Sequence, residues 1–154
     1  MIQILRFRQR LTRLWLRTFG PRWTVGCLVV LRDAQDRVCF LKHKGRLKPW
    51  GLPGGLMEWP EAPLAALRRE MLEELGWCSS GALVHRRTAV SEHFPLLELI
   101  FEAKARVSER DCASWVFQGS EIDGYSWLTA EDIQNHDGIL ARHKSAVLDV
   151  LRTE

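Results

Sequence analysis

Residues 55–77 read GLMEWPEAPLAALRREMLEELGW, and they constrain the fold more than any other stretch of the chain. The run predicts a helix over about 62–75, on which Glu70, Glu73 and Glu74 fall within a sector of about 100°. Like charges three and four positions apart cost an isolated helix roughly 0.2–0.5 kcal/mol per pair, so crowding them is unfavourable unless a cation is expected. Leu64, Leu67, Met71, Leu72 and Leu75 occupy the opposite sector and offer an apolar side for packing. An acidic run of this kind is usually a solvated helix face. Its flanks argue otherwise here. Leu52-Pro53-Gly54-Gly55 supplies a tight turn whose glycines let backbone approach a ligand, and Pro63 suits a first helical turn.

Gly55, Glu61, Arg69, Glu70, Glu73, Glu74 and Gly76 stand at the spacing Gly-x5-Glu-x7-Arg-Glu-x-x-Glu-Glu-x-Gly, which resembles the signature of the Nudix hydrolases. The resemblance implies an α/β (α+β) fold, an α/β/α sandwich around a central mixed sheet, with the box forming a loop, a helix and a loop. It implies glutamates that bind Mg²⁺ or Mn²⁺, and a nucleoside diphosphate linked to another moiety, or a nucleoside triphosphate, as substrate. Carried onto this chain, Glu70 and Glu74 become the principal metal ligands. Glu73 becomes a third ligand or a holder of metal-bound water, and the Gly54 carbonyl completes the shell. Arg69 and Glu61 resemble the family's structural pair, with Gly55 and Gly76 shaping the two loops. The last position of the signature is usually aliphatic and here is Trp77.

Oxygen ligands suit Mg²⁺ or Mn²⁺ better than zinc. A metal at a diphosphate neutralises phosphoryl charge and acidifies a coordinated water. Proton transfer also calls for a general base. In parts of the family a glutamate several residues before a tryptophan near the end of the sheet serves; Glu121 before Trp127 fits that place, with Glu70 as the other choice.

The 154 residues, 46% apolar and 27% charged, suit a single domain, 1–154, able to bury a real core. Cys27, Cys39, Cys78 and Cys112 form no Cys-x-x-Cys pair, so free thiols in a reducing cytoplasm are expected. The five histidines make no i,i+4 metal pair, and no catalytic role is assigned to them. Strands are predicted at 23–32, 37–43, 81–90, 96–107, 114–118 and 124–128, the first two joined by a turn at 33–36. Thr129 opens a short helix with Asp132 at the third position of a capping pattern, and 139–151 reads as a terminal amphipathic helix.

Seven arginines and no acid precede Asp33. Over residues 1–20, Arg6, Arg10, Arg13 and Arg17 share one helical sector, and Ile4, Phe7, Leu11, Leu14 and Trp15 the other. Three readings stay open for this basic amphipathic helix: docking on the body, contact with a membrane surface, or contact with nucleic acid or polyphosphate. Arginines interrupt every apolar run, so neither a signal peptide nor a membrane span is expected. No DNA partner is expected; a homodimer is possible by analogy with relatives. For the substrate, Arg46 and Lys48 in the basic loop 42–48 are candidates for phosphate contact. Trp50 and Phe94, with Trp23 and Trp59, are candidates to stack on a base. Alternative readings of the whole are a fold-sharing isomerase of a prenyl diphosphate, a hydrolase of capped RNA, a non-catalytic binding module, and a membrane or nucleic-acid binder led by residues 1–20.

Overall fold

The computed structural model describes residues 23–92, 95–117 and 121–153. The helix read over residues 1–20 and the candidate Phe94 lie outside these residues.

The elements run β1 (Thr24–Val30), β2 (Val38–His43), β3 (Trp50–Gly51), β4 (Gly54–Leu56), α1 (Pro63–Leu75), β5 (Leu83–Val90), β6 (Leu96–Ala103), α2 (Glu109–Ala113), β7 (Ile122–Leu128), α3 (Ala130–Asn135) and α4 (Ala141–Arg152). They form an α+β fold with two sheets. One is mixed, in the order β4-β1-β6-β5, with β1 parallel to β6; the other has the order β3-β2-β7. Asp33 turns β1 into β2 by accepting the backbone N–H groups of Gln35 and Arg37 at 2.9 Å.

β1 is covered on both faces, and its alternation sorts two cores. Cys27, Val29 and Leu31 join Ala66, Leu67, Met71 and Leu75 of α1, whereas Leu28 and Val30 join Ile133 beside α4's Ala146, Val147 and Val150. Helices therefore flank the sheets on two sides, as the resemblance implies. The buried stripe of α1 differs from its expected form, because Leu64 and Leu72 are exposed and Ala66 takes an inner place. The apolar sector was wider than the contact it makes.

Several predicted boundaries move: the strand expected over 96–107 stops at Ala103, and that over 81–90 begins at Leu83. The stretch 114–117 is not strand; Ser108 caps the short α2 instead, its hydroxyl accepting the Asp111 amide while Asp111 accepts the Ser108 amide. The terminal helix begins at Ala141 because Leu140 is extended and Ile139 forms a bridge to Trp50. Thr129 and Asp132 close the reciprocal cap expected of α3. All four cysteines are free thiols, and no helix among the described residues is long and apolar enough to cross a membrane.

Candidate active site

α1 starts at Pro63 with no side-chain cap on Ala62 and ends on Gly76, whose left-handed φ of 63° lets its N–H reach the Leu72 carbonyl. An added Cβ at Gly76 would also press on Val116 at 3.2–3.3 Å. Trp77, the departure from the family pattern, packs well. Its Nε1 donates to Asp111 at 3.2 Å, and its ring lies 6.0 Å from that of Trp115, so the bulky residue ties the helix end to α2.

Arg69 organises the loop before α1. Its guanidinium donates to Glu61 Oε1 at 2.7 Å, to the Leu56 carbonyl at 2.9 Å, to Glu70 Oε1 at 2.8 Å and to Glu73 Oε2 at 3.2 Å. Glu61 also accepts the Glu58 amide at 2.7 Å, which closes the turn. These bonds hold the Glu61 carboxyl below its ordinary range, the Arg69 contact acting most strongly.

Glu74 sits deeper. It accepts the Gly54 amide at 2.7 Å, so the left-handed Gly54 (φ 124°) is fastened to the helix by a carboxylate. A side chain at Gly54 would strike the Cys27 carbonyl at 2.1 Å. Burial lifts the Glu74 carboxyl to about 8; the Gly54 bond opposes the rise, and the neighbouring charges of Glu70 and Glu121 add to it. Burial raises Glu70 too, against the pull of Arg69. At Gly55 a Cβ would lie 2.5–2.6 Å from the Glu70 carboxyl, so only glycine leaves that group its place. Two desolvated carboxylates beside a glycine bend fit a hard divalent ion with oxygen ligands, which removes the charge conflict. Glu73 lies further out, its side chain 58% exposed and paired with Arg69. Among the described residues no trio of His, Cys, Asp or Glu is already gathered as a metal shell. Mg²⁺ commonly uses one or two carboxylates and completes its shell with water and substrate phosphates.

A cleft of about 450 Å³ opens nearby, lined by His43, Lys44, Gly45, Arg46 and Glu121. The charges of both Arg46 and Glu121 act on Glu74, which brings these three sequence candidates together. The Glu121 carbonyl accepts the Lys44 amide at 2.8 Å, fixing its backbone where β7 begins. Burial, reinforced by Arg46, pushes buried His43 down to about 4 and keeps it neutral. Lys48 turns elsewhere and donates to the Asp137 carbonyl at 2.9 Å. Trp50 is half-buried, edge-on to His136 at 5.8 Å.

One cluster escaped the sequence reading. Glu98, buried on β6, accepts Arg142 through Nε at 2.6 Å and through its terminal nitrogen at 3.1 Å, and meets His143 Nε2 at 3.1 Å. Burial would raise Glu98, yet His143 and Arg142 outweigh it and hold the carboxyl at about 2. Its signal was one charge at the centre of the apolar run LLELIF.

A family model described as NUDIX domain matches residues 20–149. Nucleoside triphosphatase NudI of Klebsiella pneumoniae (strain 342) is 29% identical over 130 residues, covering 74% of this chain and 86% of that protein. The MutT protein of Methanosarcina mazei Go1 has a TM-score of 0.68 at 17% identity, covering 89% of this chain and all of that one (100%). The NUDIX domain of Shewanella oneidensis NrtR, complexed with ADP ribose, has a TM-score of 0.67 at 15% identity, covering 91% of this chain and 96% of that one.

Proposed function

Because the chain belongs to the NUDIX family and is a Nudix hydrolase, we propose that it is a pyrophosphohydrolase dependent on Mg²⁺ or Mn²⁺. Its substrate is a nucleoside diphosphate linked to another moiety or a nucleoside triphosphate. The observation that carries this reading is Glu74, half-buried, held to the Gly54 amide beside the charge of Glu70 and within electrostatic reach of Arg46 and Glu121, which line the cleft. The likeness to a nucleoside triphosphatase supports the triphosphate branch, and the ADP ribose bound by the NrtR domain supports the other.

Glu70 and Glu74 would hold the ion, with the Gly54 carbonyl and Glu73 as the further oxygen donors available to it. When bound, the ion neutralises charge on the phosphoryl oxygens and lowers the pKa of a water. Arg69 and Glu61 position Glu70 by fixing the loop and the first turns of α1. Arg46 draws the anionic substrate into the cleft, and Glu121 accepts the proton released by the attacking water. Trp50 and Phe94 supply ring faces for the base, and Lys48 stabilises the loop that carries Arg46 through its bond to Asp137.

The test is a Mg²⁺-supplemented screen of nucleotide sugars, dinucleoside polyphosphates, CDP-alcohols and (d)NTPs, reading released phosphate or nucleotide. Glu74→Gln and Glu70→Gln should abolish turnover while the circular dichroism spectrum stays unchanged. Wild-type hydrolysis that persists after complete chelation of metal refutes the role given to these glutamates. For Glu121, an unchanged pH–rate profile and rate in Glu121→Gln removes it as the base.

A further inference from the structure

We propose that His43 binds the substrate: from the buried side of the cleft its imidazole N–H donates a hydrogen bond to a phosphoryl oxygen held beside Arg46. This role rests on the proposed substrate placing its phosphates in that cleft. His43 ends β2 and lines the cleft with Lys44, Gly45, Arg46 and Glu121, although only 5% of its surface is exposed. Its ring lies against Gly51, where an added Cβ would meet Nε2 at 3.1 Å, so the glycine leaves room for the imidazole. The ladder between β2 and β7 pairs Lys42 with Gly124 and then His43 with Ile122, skipping Asp123. Gly124 takes a φ of 155° at this bulge, a conformation that favours glycine. An unbroken ladder would set Asp123 opposite His43. The skipped residue instead brings Glu121 level with Lys44, whose amide its carbonyl accepts at 2.8 Å, and so sets Glu121 at the cleft beside His43.

The other described histidines have partners on the ring. His85 shares a hydrogen bond with Thr88 at 3.1 Å, His136 accepts the Gly138 amide at 3.0 Å through Nδ1, and His143 meets Glu98 at 3.1 Å through Nε2. Neither ring nitrogen of His43 has a partner among the described residues. A polar side chain buried this deeply is unfavourable until a bonding group reaches it, and the cleft is the side from which one can come. The character of that group follows from charge. Arg46 forms no ion pair among the described residues, and Lys44 meets exposed Asp123 at 3.5 Å. Burial, with the charges of Arg46 and His143, holds His43 at about 4, so near pH 7 it is neutral and has one N–H to give. Phosphoryl oxygens only accept, which fixes the direction of the bond. His43 therefore supplies a hydrogen bond and not a proton, and it orients the anion that Arg46 attracts.

The test is a nuclear magnetic resonance titration of the full chain, carrying ¹⁵N-labelled histidine, with methylenediphosphonate and Mg²⁺. The carbon bridge of this diphosphate does not hydrolyse, so the experiment reads contact and not turnover. The ring-nitrogen signals of His43 should shift and saturate with the ligand. Calorimetry should give a dissociation constant about 10–100-fold weaker for His43→Phe, which keeps the ring and removes both nitrogens. Either His43→Asn or His43→Gln, whose amides reach the places of Nδ1 and Nε2, should recover part of that affinity. Saturation of wild type with unmoved His43 signals overturns the proposal and needs no variant. So does affinity of His43→Phe equal to wild type, or failure of the diphosphonate to bind wild type at all. A loss that neither amide restores marks a structural role and likewise overturns it. If His43 responds while no nucleotide is turned over, the phosphate contact stands and the hydrolytic reading falls. Turnover beside an unmoved His43 keeps the hydrolytic reading and removes the contact.

Discussion

Arg69 distributes its donors over Leu56, Glu61, Glu70 and Glu73, an arrangement that depends on a planar fork. A lysine places one ammonium where several directed bonds converge. Arg69→Lys should therefore lower activity or metal affinity roughly 10–100-fold, the range typical of residues that orient metal ligands. Magnesium titration of the hydrolysis rate measures it. Gly55→Ala offers a sharper case, because the methyl would lie 2.5 Å from the Glu70 carboxyl carbon. The variant should keep its circular dichroism spectrum and lose turnover. At this scale the sequence was most informative: Arg69 pairs with Glu61 and Glu70, and Glu74 meets the Gly54 amide at the glycine turn. Glu98 went unread because the residues that neutralise it, Arg142 and His143, lie more than forty positions away in the chain. Nothing in the local pattern marks such a partner.

Elements differ in how their ends are held. Gly76 has a left-handed φ of 63° and sits against Val116, so Gly76→Ala should cost about 1–3 kcal/mol, read from urea denaturation. α4 is fastened to the mixed sheet by Glu98, Arg142 and His143, and this makes its attachment sensitive to acid. The folded Glu98 carboxyl stands at about 2 against an ordinary 4.5. Its contribution is complete above pH 4.5, shrinks as pH falls through that window toward 2, and amounts to about 3 kcal/mol. Urea midpoints recorded between these pH values should fall less steeply for Glu98→Gln than for wild type. Long periodic elements were legible in the sequence, and short ones were not. β3 and β4 have two and three residues, too few to display a period. The Trp-Val-Phe run after Ser114 has strong strand propensity, but the cap formed by Ser108 and Asp111 governs the segment before it. Exposure of Leu64 and Leu72 follows from what α1 packs against, and a helical wheel holds no such information.

For the molecule as a whole, a divalent ion that binds only the folded chain stabilises it by mass action. Saturating Mg²⁺ should raise the melting temperature of wild type by several degrees and leave that of Glu70→Gln/Glu74→Gln nearly unchanged. Differential scanning fluorimetry with and without chelator measures the difference. A like rise in the double variant places the ion elsewhere. The layering followed from the order of strands and helices, whereas the division into two sheets depended on long-range pairing. β1 stands between the two halves, with odd-numbered side chains packed against the glutamate-bearing helix α1 and even-numbered ones against the terminal helix. Such a strand works like a party wall: tenants on either side can be rearranged independently so long as neither pushes through. Substitutions on the α4 face are thus a route by which descendants of this chain acquire new stability without disturbing the glutamates of α1.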